Sequence, residues 1–210
     1  NTFFFNRAHP VFSIRYRYAD LANKSLMVNG FEFRRVRTNE LRIVWNISQS
    51  MGTETELRQA IKSNESEMSL TRNYQILLYE IMPSFNIQPS VKHRYSLHSR
   101  YRVAENTLPG RDEKSSIVSA GPDLRFPFQD IHTINLRFTW HRITYNSPGN
   151  TPLAFEMLES LEPGTNFTWN VMLQYSVSKA LQLNFMYEGR KPEGKRTIHF
   201  GSIQLRAILQ

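Results

Sequence analysis

The sequence predicts an all-β protein: an antiparallel, up-and-down transmembrane β-barrel of about ten strands, or the C-terminal part of a larger one. Apolar and polar side chains alternate with a period of two along almost the whole chain, the cations fall in one phase of that alternation, and connections are long and short in turn. With 210 residues, 40% of them hydrophobic, the chain can enclose a sizeable core and reads as one domain, 1–210. No run approaches the roughly 18 apolar residues of a membrane-spanning helix. Without cysteine there is no disulfide framework and no thiolate metal or nucleophile site. The opening Asn-Thr-Phe-Phe-Phe lacks an initiator Met and a signal architecture, so the chain reads as a processed or truncated product.

The elements follow in order from the alternation. A first strand over 10–18 sets Phe12, Ile14, Tyr16 and Tyr18 against Ser13, Arg15 and Arg17. After a short strand at 31–36, a third at 40–49 sets Leu41, Ile43, Trp45 and Ile47 against Arg42, Val44, Asn46 and Ser48. Strands at 69–82 and 84–104 flank Pro83, with Pro89 as a second candidate break. Within the latter, Val91, His93, Tyr95, Leu97, Ser99, Tyr101 and Val103 oppose Lys92, Arg94, Ser96, His98, Arg100 and Arg102. The span 116–127 precedes 132–146, where Ile134, Leu136, Phe138 and Trp140 oppose Asn135, Arg137, Thr139 and His141. The last three strands, 166–177, 181–189 and 197–210, each carry one apolar stripe: Phe167 to Val177, Leu181 to Tyr187 and Ile203 to Leu209.

Helical pattern is confined to two inserts. Thr53–Glu65 carries a Thr-x-x-Glu start at Thr53 and Glu56, and Pro152–Leu161 gathers Phe155, Met157, Leu158 and Leu161 before Pro163-Gly164 stops it. The first reads as an exposed surface element. The second reads as a loop helix packed on neighbouring loops, with lying over the barrel mouth or meeting a partner as the alternatives. The long connections, 19–30, 50–68, 105–115, 147–165 and 190–196, follow odd strands, and the short ones fall around 37–39, 83, 129–131 and 178–180. In a meander all the long loops then emerge at one end, as they do in outer-membrane barrels, with both chain ends periplasmic.

Alternation alone also fits a soluble basic β-sandwich. Several strands sustain it for ten residues or more, however, whereas soluble strands centre on about 5 to 6. Aromatic residues also crowd the apolar phase near strand ends, a girdle of Tyr16, Tyr18, Trp45, Tyr101, Trp140, Phe167, Trp169, Tyr175 and Tyr187. Energetics then assigns the faces. An Arg or Lys turned to lipid near the midplane costs roughly 2 to 4 kcal/mol, so Lys92, Arg94, Arg100 and Arg102 together would cost on the order of 8 to 16. That rivals the roughly 5 to 15 kcal/mol stability of a whole domain. Arg142, in phase with Trp140, is expected beyond the hydrocarbon edge, snorkelling.

The C-terminal segment, Tyr187-Glu188-Gly189-Arg190-Lys191 and then Ile198 to Gln210, resembles the end of outer-membrane β-barrel proteins. In that family the last strand is amphipathic, carries a Gly near its start, usually ends on an aromatic, and is the recognition signal for the barrel assembly machinery. Gly201, Ile203, Leu205, Ala207 and Leu209 match, while Gln210 stands where Phe is typical. The stretch Gly164-Thr165-Asn166-Phe167-Thr168-Trp169-Asn170 through the Tyr-x-Gly-Arg turn is similar to the C-terminal barrels of large Bacteroidota surface proteins. That resemblance covers the last quarter of the chain and implies the barrel end of a longer polypeptide.

The remaining chemistry is sparse. Arg15, Arg17, Arg42, Lys92, Arg94, Arg100, Arg102, Arg137 and Arg206 would line a basic lumen, attracting anions, an acidic plug domain or a protein partner. Polar side chains filling a narrow barrel account for the same wall, and inward-phased Val44, Met172, Met186, Phe200 and Ile208 favour a packed interior. His93, His98, His132, His141 and His199 are scattered, with Ser96 and His98 merely same-face neighbours, so no catalytic, metal or cofactor site is expected. Net charge +8 permits nucleic-acid binding, but the cations form no compact patch interleaved with exposed aromatics, and none is expected. The expected role is a membrane anchor and scaffold in the outer membrane of a Gram-negative bacterium, contacting its lipid and displaying surface loops. A passive anion-selective channel is the alternative, and a soluble basic β-sandwich binding module is the alternative from another class.

Overall fold

Period-two alternation with β-branched and aromatic residues on one side builds strands, and eleven of them form one antiparallel sheet in strict sequence order. They are β1 (Thr2–Phe5), β2 (Phe12–Met27), β3 (Gly30–Asn46), β4 (Met51–Ser66), β5 (Tyr74–Ile87), β6 (Arg94–Asn106), β7 (Lys114–Phe128), β8 (His132–Tyr145), β9 (Gly164–Ser176), β10 (Leu181–Pro192) and β11 (Ile198–Ala207). One helix, α1 (Pro152–Met157), lies between β8 and β9. The computed structural model describes residues 1–7, 9–27, 30–67, 72–128, 132–178 and 181–207. Among the described residues β1 pairs with β2 alone and β11 with β10 alone, so the sheet is not closed, and β1 and β11 run in the same direction.

The all-β, up-and-down architecture is the one expected, but four boundaries differ. The strand β2 continues to Met27 where a loop over 19–30 was expected. The separate strands at 31–36 and 40–49 are one strand, β3, and residues 37–39 make no turn. Arg37 sits opposite Asp20 and Asn39 opposite Gln59, so the polar stretch finds partners within the sheet and has no need to leave it. The stretch 53–65 is not a helical insert but most of β4. Its Thr53, Thr55, Leu57, Gln59 and Ile61 face outward, while the inward Glu54, Arg58 and Lys62 meet Arg42, Glu80 and Glu156. A two-residue capping signal carries little weight against ladders on both sides.

Finally, 84–104 is divided, and the break falls at 88–93, not at Pro83. Pro83 lies inside β5, and the β5–β6 register passes from Ile81↔Tyr101 to Ser84↔His98 without pairing it, as a residue with no N–H requires. A similar lapse separates Ala120↔Trp140 from Asp123↔Arg137 in β7–β8. There a Cβ on Gly121 would stand 1.8 Å from the Phe138 carbonyl oxygen. Connection lengths are also less unequal than expected: of the loop expected over 50–68, Met51–Ser66 is strand, and the end bearing 107–113, 146–163 and 193–197 is distinguished mainly by 146–163.

The inward phase buries charged side chains beside the apolar contacts of α1, and the outward phase exposes apolar ones. On the inward phase Arg102 is 2% and Glu80 6% exposed, whereas on the outward phase Tyr101 is 50% and Leu205 63% exposed.

Candidate functional site

The interior is organised around α1 and the residues that follow it. Thr151 caps the helix, its Oγ1 accepting from the Ala154 N–H at 3.0 Å, and Pro152 occupies the first turn where its missing N–H costs nothing. A helix this short does not stand alone in water, so it depends on what it buries. Leu153 and Met157 pack with Ile76 of β5 and Ala104 of β6, and Ala154 and Leu158 pack with Ile117 of β7 and Ile143 of β8. The insert therefore packs on strands, not on neighbouring loops, and does so close to the strand ends that bear 107–113 and 146–163. It packs on the inward face of the sheet, burying the expected Met157 and Leu158 together with Leu153 and Ala154, which the helical pattern did not single out, while Phe155 is left exposed.

Ion pairs hold it there. Glu156 meets Lys62 of β4, and Glu159 takes two hydrogen bonds from Arg100, at 2.7 and 2.5 Å, and another from Arg102. Arg100 also reaches Glu80, and Arg190 of β10 donates to the Ser160 carbonyl at 2.8 Å. Glu159 and Ser160 both have left-handed backbone, φ 54° and 63°, at roughly 1 to 3 kcal/mol each for non-glycine residues. The docked segment thus carries strain that these contacts offset. Burial raises the Glu159 carboxyl pKa, but the hydrogen bonds from Arg100 and the charges of Arg102, Arg100 and Lys62 outweigh it and hold the group below its ordinary value.

The other basic positions are distributed along the inward phase and largely neutralised. Arg15 pairs with Glu40 at 2.9 Å, Arg42 with Glu54, and Arg137 with Asp123; Arg17 lies opposite Glu40. Arg94 faces Arg125 across β6–β7, and Arg206 is on the exposed strand β11. Lys92 departs from expectation, since it sits in the 88–93 connection and not on a strand wall. Glu188 accepts from Asn170 at 2.8 Å and forms no ion pair among the described residues. The acidic half of this wall, Glu32, Glu40, Glu54, Glu56, Glu80 and Asp123, is in phase with the cations and was the signal missed.

The Ser and His residues separate differently from their sequence spacing. Ser96 donates to Asn86 and His98 contacts Thr139, so they do not form a pair. Ser119 and His141 do meet, Oγ to Nδ1 at 2.8 Å, with Thr168 on the other ring nitrogen at 3.0 Å. A threonine stands where a hydrolytic triad needs a carboxylate, and Ser119 is 3% exposed. Among the described residues no three His, Asp or Glu side chains gather in a metal-binding group.

On the outward phase, the register brings together Tyr16, Tyr18, Trp45, Tyr101, Trp140, Phe167, Trp169, Tyr175 and Tyr187. Among the described residues that phase holds no Asp, Glu, Lys or Arg in Phe12–Tyr18, Asn39–Trp45, Tyr95–Val103, Ile134–Trp140, Phe167–Tyr175 or Leu181–Gly189. Charges resume at the end bearing 146–163: Asp20 with Arg35 and Arg37, Glu105 with Lys114 at 2.9 Å, Arg142 on the Thr165 hydroxyl, and Lys191. At ~3.3 Å per residue and ~40° of tilt, about ten residues climb ~25 Å, the height of the apolar band of an outer-membrane barrel. Gly201, Ile203, Leu205 and Ala207 share this phase of β11, while Leu209 lies outside the described residues. Trp169 covers Gly189, whose Cβ would stand 2.0 Å from the indole, and its neighbour His199 takes the Tyr187 hydroxyl at 2.8 Å. No protein-family model and no curated protein sequence matches the chain.

Proposed function

We propose that this chain is the transmembrane wall of an outer-membrane β-barrel in a Gram-negative envelope, serving as anchor and scaffold with its interior occluded by α1. One observation carries the reading: the outward side chains form a charge-free belt while the Arg–Glu ion pairs lie on the opposite face, beside the apolar contacts of α1. In water that arrangement exposes apolar surface and buries ions at a cost, whereas in a bilayer the same arrangement minimises both. A β-sandwich needs a second sheet over the apolar face, and the described residues form a single sheet. Annular lipid contacts the belt, and β11 is the segment offered to the assembly machinery. The surface loops include 107–113 and 193–197.

Occlusion favours the anchor over the anion channel, since α1 and its ion pairs stand where permeant ions would pass. Extraction by detergent only, with a heat-modifiable gel shift, is the expected behaviour. Planar-bilayer recordings are expected to show no steady conductance, and replacing 151–161 with a short Gly-Ser linker to create it. A chain that stays monodisperse in plain buffer, or unit conductance from the intact chain, overturns the respective part of the proposal.

A further inference from the structure

Within the outward belt one region is not uniformly apolar. Tyr16 Oη donates to Asn39 Oδ1 at 2.8 Å, Asn39 Nδ2 to Gln59 Oε1 at 3.3 Å, and Gln59 Nε2 to Tyr79 Oη at 3.2 Å. Asn39, Gln59 and Tyr79 are neighbours in register across β3, β4 and β5. Each amide nitrogen has two protons and spends one in the row, and the Tyr79 hydroxyl, acting as acceptor, keeps its own. The row therefore offers outward donors, which suit a group that can only accept, such as an ester carbonyl or a phosphate oxygen.

Cations flank one side of the row and an apolar slot the other. Towards the end bearing 146–163, Arg35 and Arg37 share the single carboxylate of Asp20, at 2.7 and 3.5 Å, which leaves local positive charge. A cavity of about 400 Å³ takes in the row itself and extends away from the arginines between Leu41, Leu57, Ile81 and Tyr101, with Glu40, Arg58 and Glu80 of the inward phase also along its lining; its apolar part is continuous with the charge-free belt. That volume is within the ~300–1,000 Å³ range of small-ligand sites. We propose that slot, donor row and arginines together bind one anionic phospholipid-type molecule of the surrounding leaflet, an acyl chain in the slot and the phosphate beside Arg35 and Arg37. The inference rests on the membrane reading. A zwitterionic lipid or a second protein copy lacks the fit, the first in charge and the second in an acceptor-only group joined to an apolar chain.

The experiment is native mass spectrometry of the full chain released from nanodiscs of equal phosphatidylglycerol and phosphatidylcholine. One retained phosphatidylglycerol is expected. Leu57→Trp fills the slot from the outward face and abolishes retention, whereas Arg35→Gln with Arg37→Gln keeps a bound lipid but lowers the preference for phosphatidylglycerol about five- to tenfold. No retained lipid, equal retention of both lipids by the unaltered chain, unchanged retention in Leu57→Trp, or a dimer in place of the lipid overturns the site. The heat-modifiable shift is recorded on the same samples: its loss overturns the membrane reading, whereas its presence without lipid retention overturns this site alone.

Discussion

Replacing Glu159 with Gln keeps the shape of the side chain and removes the charge that Arg100 and Arg102 share. Arg102 is 2% exposed and its Nε has no acceptor, so after the change it remains a buried cation relying on Glu80 and the Glu156 carbonyl. Breaking a fully buried pair costs ~3 to 5 kcal/mol; Glu159 retains 38% exposure, so water recovers a part and about 2 to 3 kcal/mol is expected. Arg102→Met leaves Glu159 its two hydrogen bonds from Arg100 and costs about 1 to 2 kcal/mol. In the double variant no orphan charge remains, so its loss falls short of the sum by about 1 to 2 kcal/mol. Urea unfolding in detergent micelles, followed by tryptophan fluorescence, measures all four corners of the cycle. Additivity within ~0.5 kcal/mol would show that the pair does not hold the segment, and the account of docking would fail.

The same carboxylate sets a pH dependence. Because its pKa is lowered when docked, its contribution is complete above the ordinary value of 4.5 and is lost as pH falls through the lowered one. Proteolysis within 146–163 is therefore expected to be constant from neutral pH down to about 5 and to accelerate in more acid solution, and Glu159→Gln to flatten that response. Met157→Ala, at a fully buried position between Ile76 and Ala104, should destabilise the chain by about 2 to 5 kcal/mol in the same urea assay. Leu173→Lys places a charge on the outward phase between Ile134 and Phe185 and should cost about 2 to 4 kcal/mol and impair insertion into vesicles, while the inward neighbour Met172→Lys should insert; equal behaviour of the two contradicts the assigned faces. Gly121→Ala drives a Cβ into the Phe138 carbonyl, with an expected loss of about 1 to 3 kcal/mol and faster amide exchange around the β7–β8 lapse.

Much of the sheet was legible because alternation is a local signal. In β6 and β8 to β11 each apolar side chain announces its phase two residues ahead, and the register keeps Trp140, Phe167, Trp169 and Tyr187 on one face as the sequence implies. Legibility failed where the outward phase turns polar. Arg37 and Asn39 in β3 and Thr53 and Thr55 in β4 read as turn or helical insert, since what makes them strand is the partner across the ladder. Reading β3 as two strands and missing β4 compensate each other, which left the later strands in correct phase. The interior was the least legible part. Lys62 finds Glu156 94 positions away and Arg102 finds Glu159 57 away, distances at which no periodicity speaks. The helix pattern in 152–161 was visible, but the direction in which it folds depends on Ile76, Ala104, Ile117 and Ile143 from four separate strands.

The two rims of the sheet, β1 and β11, travel the same way because their ordinals are both odd. Hydrocarbon tolerates no unpaired backbone amide, so if the proposed membrane wall is rolled from these staves the cylinder must be sealed. Like-directed rims cannot zip antiparallel. Sealing takes either a parallel seam, with Phe3 and Phe5 on the same wall as Ile203 and Leu205, or an odd number of intervening staves that restores even parity.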